Sequence, residues 1–253
     1  MKKIYTILAL IISFSMNAQV STNSTSPTGI YASAMGNGTT ASGNESTAMG
    51  YDTTASGEAS TAMGYSTTAS TQASTAMGKL TTASGLNSTA MGYQTTASGN
   101  YSTAMGYSST ASGSRSTAMG WNTTASVGFS TAMGYQTTAS GNSSTAMGYQ
   151  TTASGDSSTA MGKQTIASDY ASVVIGQYNS SGSSVTNNAI SFSTSNTAFV
   201  IGNGTASNAK SDAFKVMFNG DTTVSNDLTV SGDVNISSDA RLKSNIVSLG
   251  STL

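Results

Sequence analysis

The chain is predicted to be all-β, a parallel β-roll of fourteen-residue coils, and three observations predict it. Met35, Met49, Met63, Met77, Met91, Met105, Met119, Met133, Met147 and Met161 lie fourteen apart without a slip, and Ile175 continues the series. Each is followed by glycine, from Gly36 to Gly176. Within every fourteen lies an echo at seven, seen in the even spacing of Ala48, Ala55, Ala62 and Ala69. Self-similarity at a fixed period is the signature of a repeat architecture, in which each unit packs only on its neighbours.

The unit has two similar halves, such as STAMGYQ (Ser130–Gln136) and TTASGNS (Thr137–Ser143). Two heptads per unit are not a coiled coil, because a glycine inside a helix costs about 1 kcal/mol relative to alanine. In a strand, successive side chains alternate between faces. Ser46, Ala48 and Gly50 then share one face, with Thr47 and Met49 on the other. In the second half Thr53, Ala55 and Gly57 face one way, and Thr54 and Ser56 the other. The expected coil is two short strands joined at tight, glycine-bearing corners, with alanine, glycine and serine filling a narrow interior. Coils stacked at about 4.8 Å give a rod of roughly 50 Å.

An interior of alanine and glycine buries little apolar area. One outer face, however, carries a methionine in every coil, and an unbroken apolar stripe marks a contact surface. Ten methionines at roughly 1.5–3 kcal/mol each set an upper bound large enough to drive assembly of identical chains around one axis. Met49, Met63, Met77, Met91, Met105, Met119, Met133, Met147, Met161 and Ile175 are therefore the expected subunit interface. The alternative is that methionine fills the roll's own interior, which would leave a monomer.

The flanks differ in composition from the repeats. Lys2, Lys3, the apolar run Ile4–Phe14 and a cut after Ala18 are expected to form a cleaved secretory signal (1–18), followed by a linker (19–29). The chain has no cysteine, so an exported form gains nothing from disulfides and carries no lipid-bearing cysteine. Beyond Gly182 the spacing stops. Phe214, Val216 and Phe218 alternate up to Asn219-Gly220, which predicts a strand and hairpin turn with Asp221–Val224 returning. Leu228, Val230, Val234 and Ile236 predict further strands around a turn at Ser231–Asp233, giving a short β-rich stalk (182–237). Gly202–Gly204 is expected to be a turn.

STAMGYQTTASGN resembles the head repeat of YadA-like trimeric autotransporter adhesins, with its Ser-x-Ala-Ile-Gly and Ala-x-Gly elements, and SVVIGQYNSSG (Ser172–Gly182) is closer still. The resemblance spans residues 30–181; methionine in place of Ile or Val is its chief departure. It implies a left-handed parallel β-roll, three chains to a head, on a bacterial cell-surface fibre that adheres to a receptor, matrix or glycan. SSDARLKSNIVSLGS (Ser237–Ser251) resembles the opening of the intramolecular chaperone domain of endosialidases and phage tail fibres, matched at Ser238, Asp239, Arg241, Lys243 and Ile246. That resemblance implies trimerisation and self-cleavage just before Ser238. Only the start of such a domain (238–253) is present, so Ser238 and Asp239 are at most a vestigial cleavage site. No membrane-spanning anchor is expected in this chain.

Net charge is -1 and only 8% of residues are charged, which gives no electrostatic reason to expect nucleic acid as a partner. With no His and no Cys, the common zinc sites and nucleophile–base pairs are unavailable. Glu45, Asp52, Glu58 and Asp156 fall on turns and form no calcium ladder. No metal, no cofactor and no enzymatic activity are expected. Two outer rows remain as ligand candidates. Thr54, Ser56, Thr96, Ser98, Thr138 and Ser140 belong to a hydroxyl and methyl array like that of ice-binding β-solenoids, although threonine is also a good solvent-facing strand residue. The Tyr row after Ala-Met-Gly either binds glycans or stacks on itself.

Overall fold

The computed structural model describes residues 22–180 and 189–231, and no helix occurs among them. Each coil contributes one five-residue and one two-residue strand, as in Thr47–Tyr51 and Thr54–Ala55. The long strands run in parallel from Ser33–Asn37 to Val173–Gln177, and the short ones from Ser26–Pro27 to Ile166–Ala167. Register is strict at fourteen residues: Thr89, Ala90, Met91, Gly92 and Tyr93 pair with Thr103, Ala104, Met105, Gly106 and Tyr107. The chain is a parallel β-solenoid of about eleven coils.

Identical side chains therefore form columns. Alanine is buried at every seventh position from Ala34 to Ala167, and fully so from Ala41 onward. The second interior column alternates threonine and serine, as in Thr39, Ser46, Thr53 and Ser60, all inaccessible to solvent, with Ser109 standing in a threonine position. The predicted split of faces holds, and hydroxyls join the alanines inside. Ser46 and Ser144 donate to the carbonyls of Gly43 and Gly141 at 2.6 and 2.7 Å. The Thr53, Thr67, Thr81 and Thr95 hydroxyls have no partner.

Backbone bonding passes from coil to coil even at the bends. Thr54 N donates to Thr67 O at 2.8 Å in the short sheet, and at a corner Ser66 N donates to Tyr51 O at 2.8 Å. The bends correct the sequence expectation, because glycine does not make them. A left-handed residue recurs every seven positions, and apart from Gly38 it is not glycine: Glu45, Asp52, Ala59, Ser66, Ala73 and Leu80 have φ of 51–59°. Glycine answers a different demand. At Gly92, φ is +121°, and a Cβ would lie 2.1 Å from the carbonyl oxygen of Gly106 in the next coil. The backbones there approach too closely for any side chain.

The spacing of fourteen ends after Ile175, yet the sheet continues. Thr197–Asn203 pairs in parallel with Val173–Gln177, setting Val200 beside Val174, Ile201 beside Ile175 and Gly202 beside Gly176. Gly202 is thus a strand residue in the repeat's glycine column, not the turn expected from Gly202–Gly204. Asp212–Met217 and Thr222–Val224 then add antiparallel strands to the same edge, as the hairpin reading required. Leu228 and Val230, expected in a strand, belong to none and are exposed. The secretory signal, Val234, Ile236 and the Ser238–Leu253 segment lie outside the described residues.

Candidate functional site: the outer faces of the roll

The long sheet's outer face carries the methionines. Met49 pairs with Met63, Met63 with Met77 and Met77 with Met91, each in backbone register with its equivalent one rung away. All ten, with Ile175, are half-buried, while the alanines beside them, and Val174 beside Ile175, are buried. Methionine is therefore outside the roll, and the reading that places it inside is overturned. The interior column has no room for it, because each coil's two halves close on alanine against hydroxyl. Thr47 and its equivalents flank the stripe on one side, and the row of Tyr51, Lys79 and Tyr93 ends the same strands on the other.

The short sheet's outer face is a hydroxyl lattice. Thr40, Thr54, Thr68, Thr82, Thr96, Thr110, Thr124, Thr138 and Thr152 form one continuous in-register row. Two residues on, Ser56 and Ser98 are exposed and Ser140 is half-buried. The candidate residues Thr54, Ser56, Thr96, Ser98, Thr138 and Ser140 thus share one face, opposite the methionines.

Two further ladders line the corners. Tyr93, Tyr107, Trp121, Tyr135 and Tyr149 stack with ring centroids 4.1–6.3 Å apart. Lys79 takes the place of a ring earlier in the row and holds its ammonium 5.4 Å from the Tyr65 centroid and 5.7 Å from that of Tyr93. The rings cover one another's faces, which favours self-stacking within the row. A second cation lies between rings in another row, with the Arg115 guanidinium 5.2 Å from Tyr101 and 5.3 Å from Phe129. Sequence reading missed this sandwich, although the fourteen-residue spacing of Tyr101, Arg115 and Phe129 was the signal for it. It likewise missed an amide ladder, in which Gln150 donates to Gln136 at 2.7 Å and Gln164 to Gln150.

This columnar arrangement agrees with a family relationship. The family model described as the YadA head domain repeat matches residues 28–53, 55–81, 83–109, 97–123, 111–135, 128–151 and 153–179, more than half of the chain. The chain belongs to the YadA head repeat family. No curated protein matches it. YadA head repeats are those of trimeric autotransporter adhesin-like fibrous proteins, a structural adhesin-type family rather than an enzyme family. In this YadA-type roll the apolar residue of each Ala-apolar-Gly element points out of the coil, and methionine replaces the usual Ile or Val there.

Proposed function

We propose that the chain is a secreted, bacterial cell-surface fibrous adhesin whose head is a homotrimer closed around the methionine face. The supporting observation is the stripe itself: ten methionines and Ile175 on one outer face, held in register by the backbone ladder. Burying it against two sister chains removes from water an apolar surface that a narrow alanine core cannot supply, and a three-fold axis satisfies all three stripes at once. Export through the segment 1–18 and a trimerising chaperone start at 238–253 belong to the same reading. So does attachment to a surface receptor, matrix or glycan through the faces left outside. A tail-fibre-like role uses the same trimer. The deciding measurement is the mass in solution at micromolar concentration. Three chains per particle are expected; a particle of one chain sinks the assembly.

One observation favours a second reading. The Thr/Ser face repeats one lattice over nine consecutive threonine rungs without a charged residue, the regularity that an ice surface would match. Thermal hysteresis of the purified protein tests it, and a freezing point equal to that of a control protein at the same concentration removes it.

A further inference from the structure

Two open clefts of about 470 and 400 Å³ lie side by side at the C-terminal end of the roll, divided by the glutamine ladder. The first is lined by Tyr149, Gln150, Lys163, Gln164 and Tyr178. The second shares Gln150 and Gln164 and adds Gln136, Thr152 and Lys210. Neither contains an aspartate or glutamate. In a chain whose charges nearly cancel, one lysine in each cleft and no carboxylate in either lining make a local excess of positive charge.

The polar groups are fixed and partly unused. Gln150 spends one N–H on Gln136 and Gln164 spends one on Gln150, which leaves each amide a second N–H to donate. Tyr149 ends the aromatic stack. Lys163, next in its row, holds its ammonium over Tyr178 at 5.3 Å, so the last ring of the stack borders the cleft. Fixed amides at one-rung intervals, an aromatic ring and flanking ammonium groups suit a linear ligand that carries hydroxyls, an apolar ring face and a carboxylate in each unit.

We propose that these two adjoining clefts together bind an acidic polysaccharide of the polyuronate class. Carboxylates pair with Lys163 and Lys210, hydroxyls accept from Gln150 and Gln164, and one sugar face packs on Tyr149. Thr152 places the second cleft at the edge of the hydroxyl face, while Tyr149 and Lys163 end the strands that carry Met147 and Met161 and so place the first at the corner between the two sheets. The proposal names a ligand for the adhesin reading and rests on that reading for its biological use, while the binding itself does not require a trimer.

The test is calorimetric titration of the full chain with a polyuronate oligomer, a neutral glucose oligomer of equal length, and dextran sulfate, with particle mass measured on the same sample. The polyuronate is expected to bind at least about tenfold more tightly than the neutral oligomer, and to weaken about tenfold in the K163Q/K210Q double variant and at high salt. Lys79→Gln, in the same row six coils away, is expected to change nothing. Equal affinity for the neutral oligomer, an unaltered double variant that melts like the parent, or no binding at all overturns the site. Binding of dextran sulfate alone overturns it too, by revealing an unspecific cationic surface. A monomer that binds polyuronate sinks the assembly and spares the site; a trimer that does not bind does the reverse.

Discussion

Asp169 accepts the backbone N–H of Thr197 at 2.6 Å, joining residues 28 apart in sequence at the point where the fourteen-residue spacing breaks. Asp169 occupies the column held by Gly43, Gly57 and Gly155 in earlier coils, and it is almost wholly buried. Burial pushes its carboxyl above the ordinary range, and the Thr197 N–H pulls it back less strongly. Asp212, which accepts the Ser180 N–H at 2.7 Å, is raised for the same reason. A carboxyl with a folded pKa above its unfolded value contributes stability below the unfolded value, and that contribution is lost as pH rises through the folded one. Asp169→Asn keeps an acceptor for Thr197 without the buried charge. Its melting temperature is expected to exceed the parent's at pH 7 and to converge with it at acid pH, as thermal unfolding across pH will show.

Asn179 closes the short sheet in a comparable way. Its Oδ1 accepts Ile166 N at 2.7 Å and its Nδ2 donates to Ile166 O at 3.0 Å, so one side-chain amide stands where the next strand would lie. Asn179→Ala strips both bonds from an edge strand. A loss of about 1–3 kcal/mol is expected, with hydrogen exchange at the Ile166 amide rising first.

Gly92→Ala places a methyl 2.1 Å from Gly106 O at a left-handed backbone angle. Neither neighbour yields without breaking the ladder between coils. A destabilisation of at least about 2 kcal/mol is expected, read by denaturant unfolding.

The interior columns separate polarity from volume. Thr95→Val removes a buried hydroxyl that has no partner and preserves shape, so a gain of about 1 kcal/mol is expected. Ala97→Leu in the adjacent buried column overfills the coil and is expected to cost about 1–3 kcal/mol or more. Opposite signs in the two variants are the measured outcome.

Met91→Asp combined with Met105→Asp puts two carboxylates on adjacent rungs of the proposed interface. Between subunits these charges would be desolvated, so the particle is expected to fall from three chains to one. A double variant that keeps the parent's mass locates the interface elsewhere.

Periodicity alone determined the roll, its rung length and its two faces, because a backbone ladder repeating every fourteen residues forces Ala48, Ala62 and Ala76 into one column and Met49, Met63 and Met77 into another. The sandwiched Arg115 was legible in the same spacing once rows were read across coils. Other features depended on contacts that no local pattern encodes. The bends fall on residues as unlike as Leu80, Gln94 and Asn122, since coil-to-coil bonding fixes their backbone whatever the side chain. Phe199–Ile201 rejoins the sheet after a break in period because Val200 continues the buried column beside Val174. The cleft that holds Gln150 and Lys210 exists only because the chain beyond that break folds back against the last coils, a long-range packing event that a one-dimensional repeat does not specify.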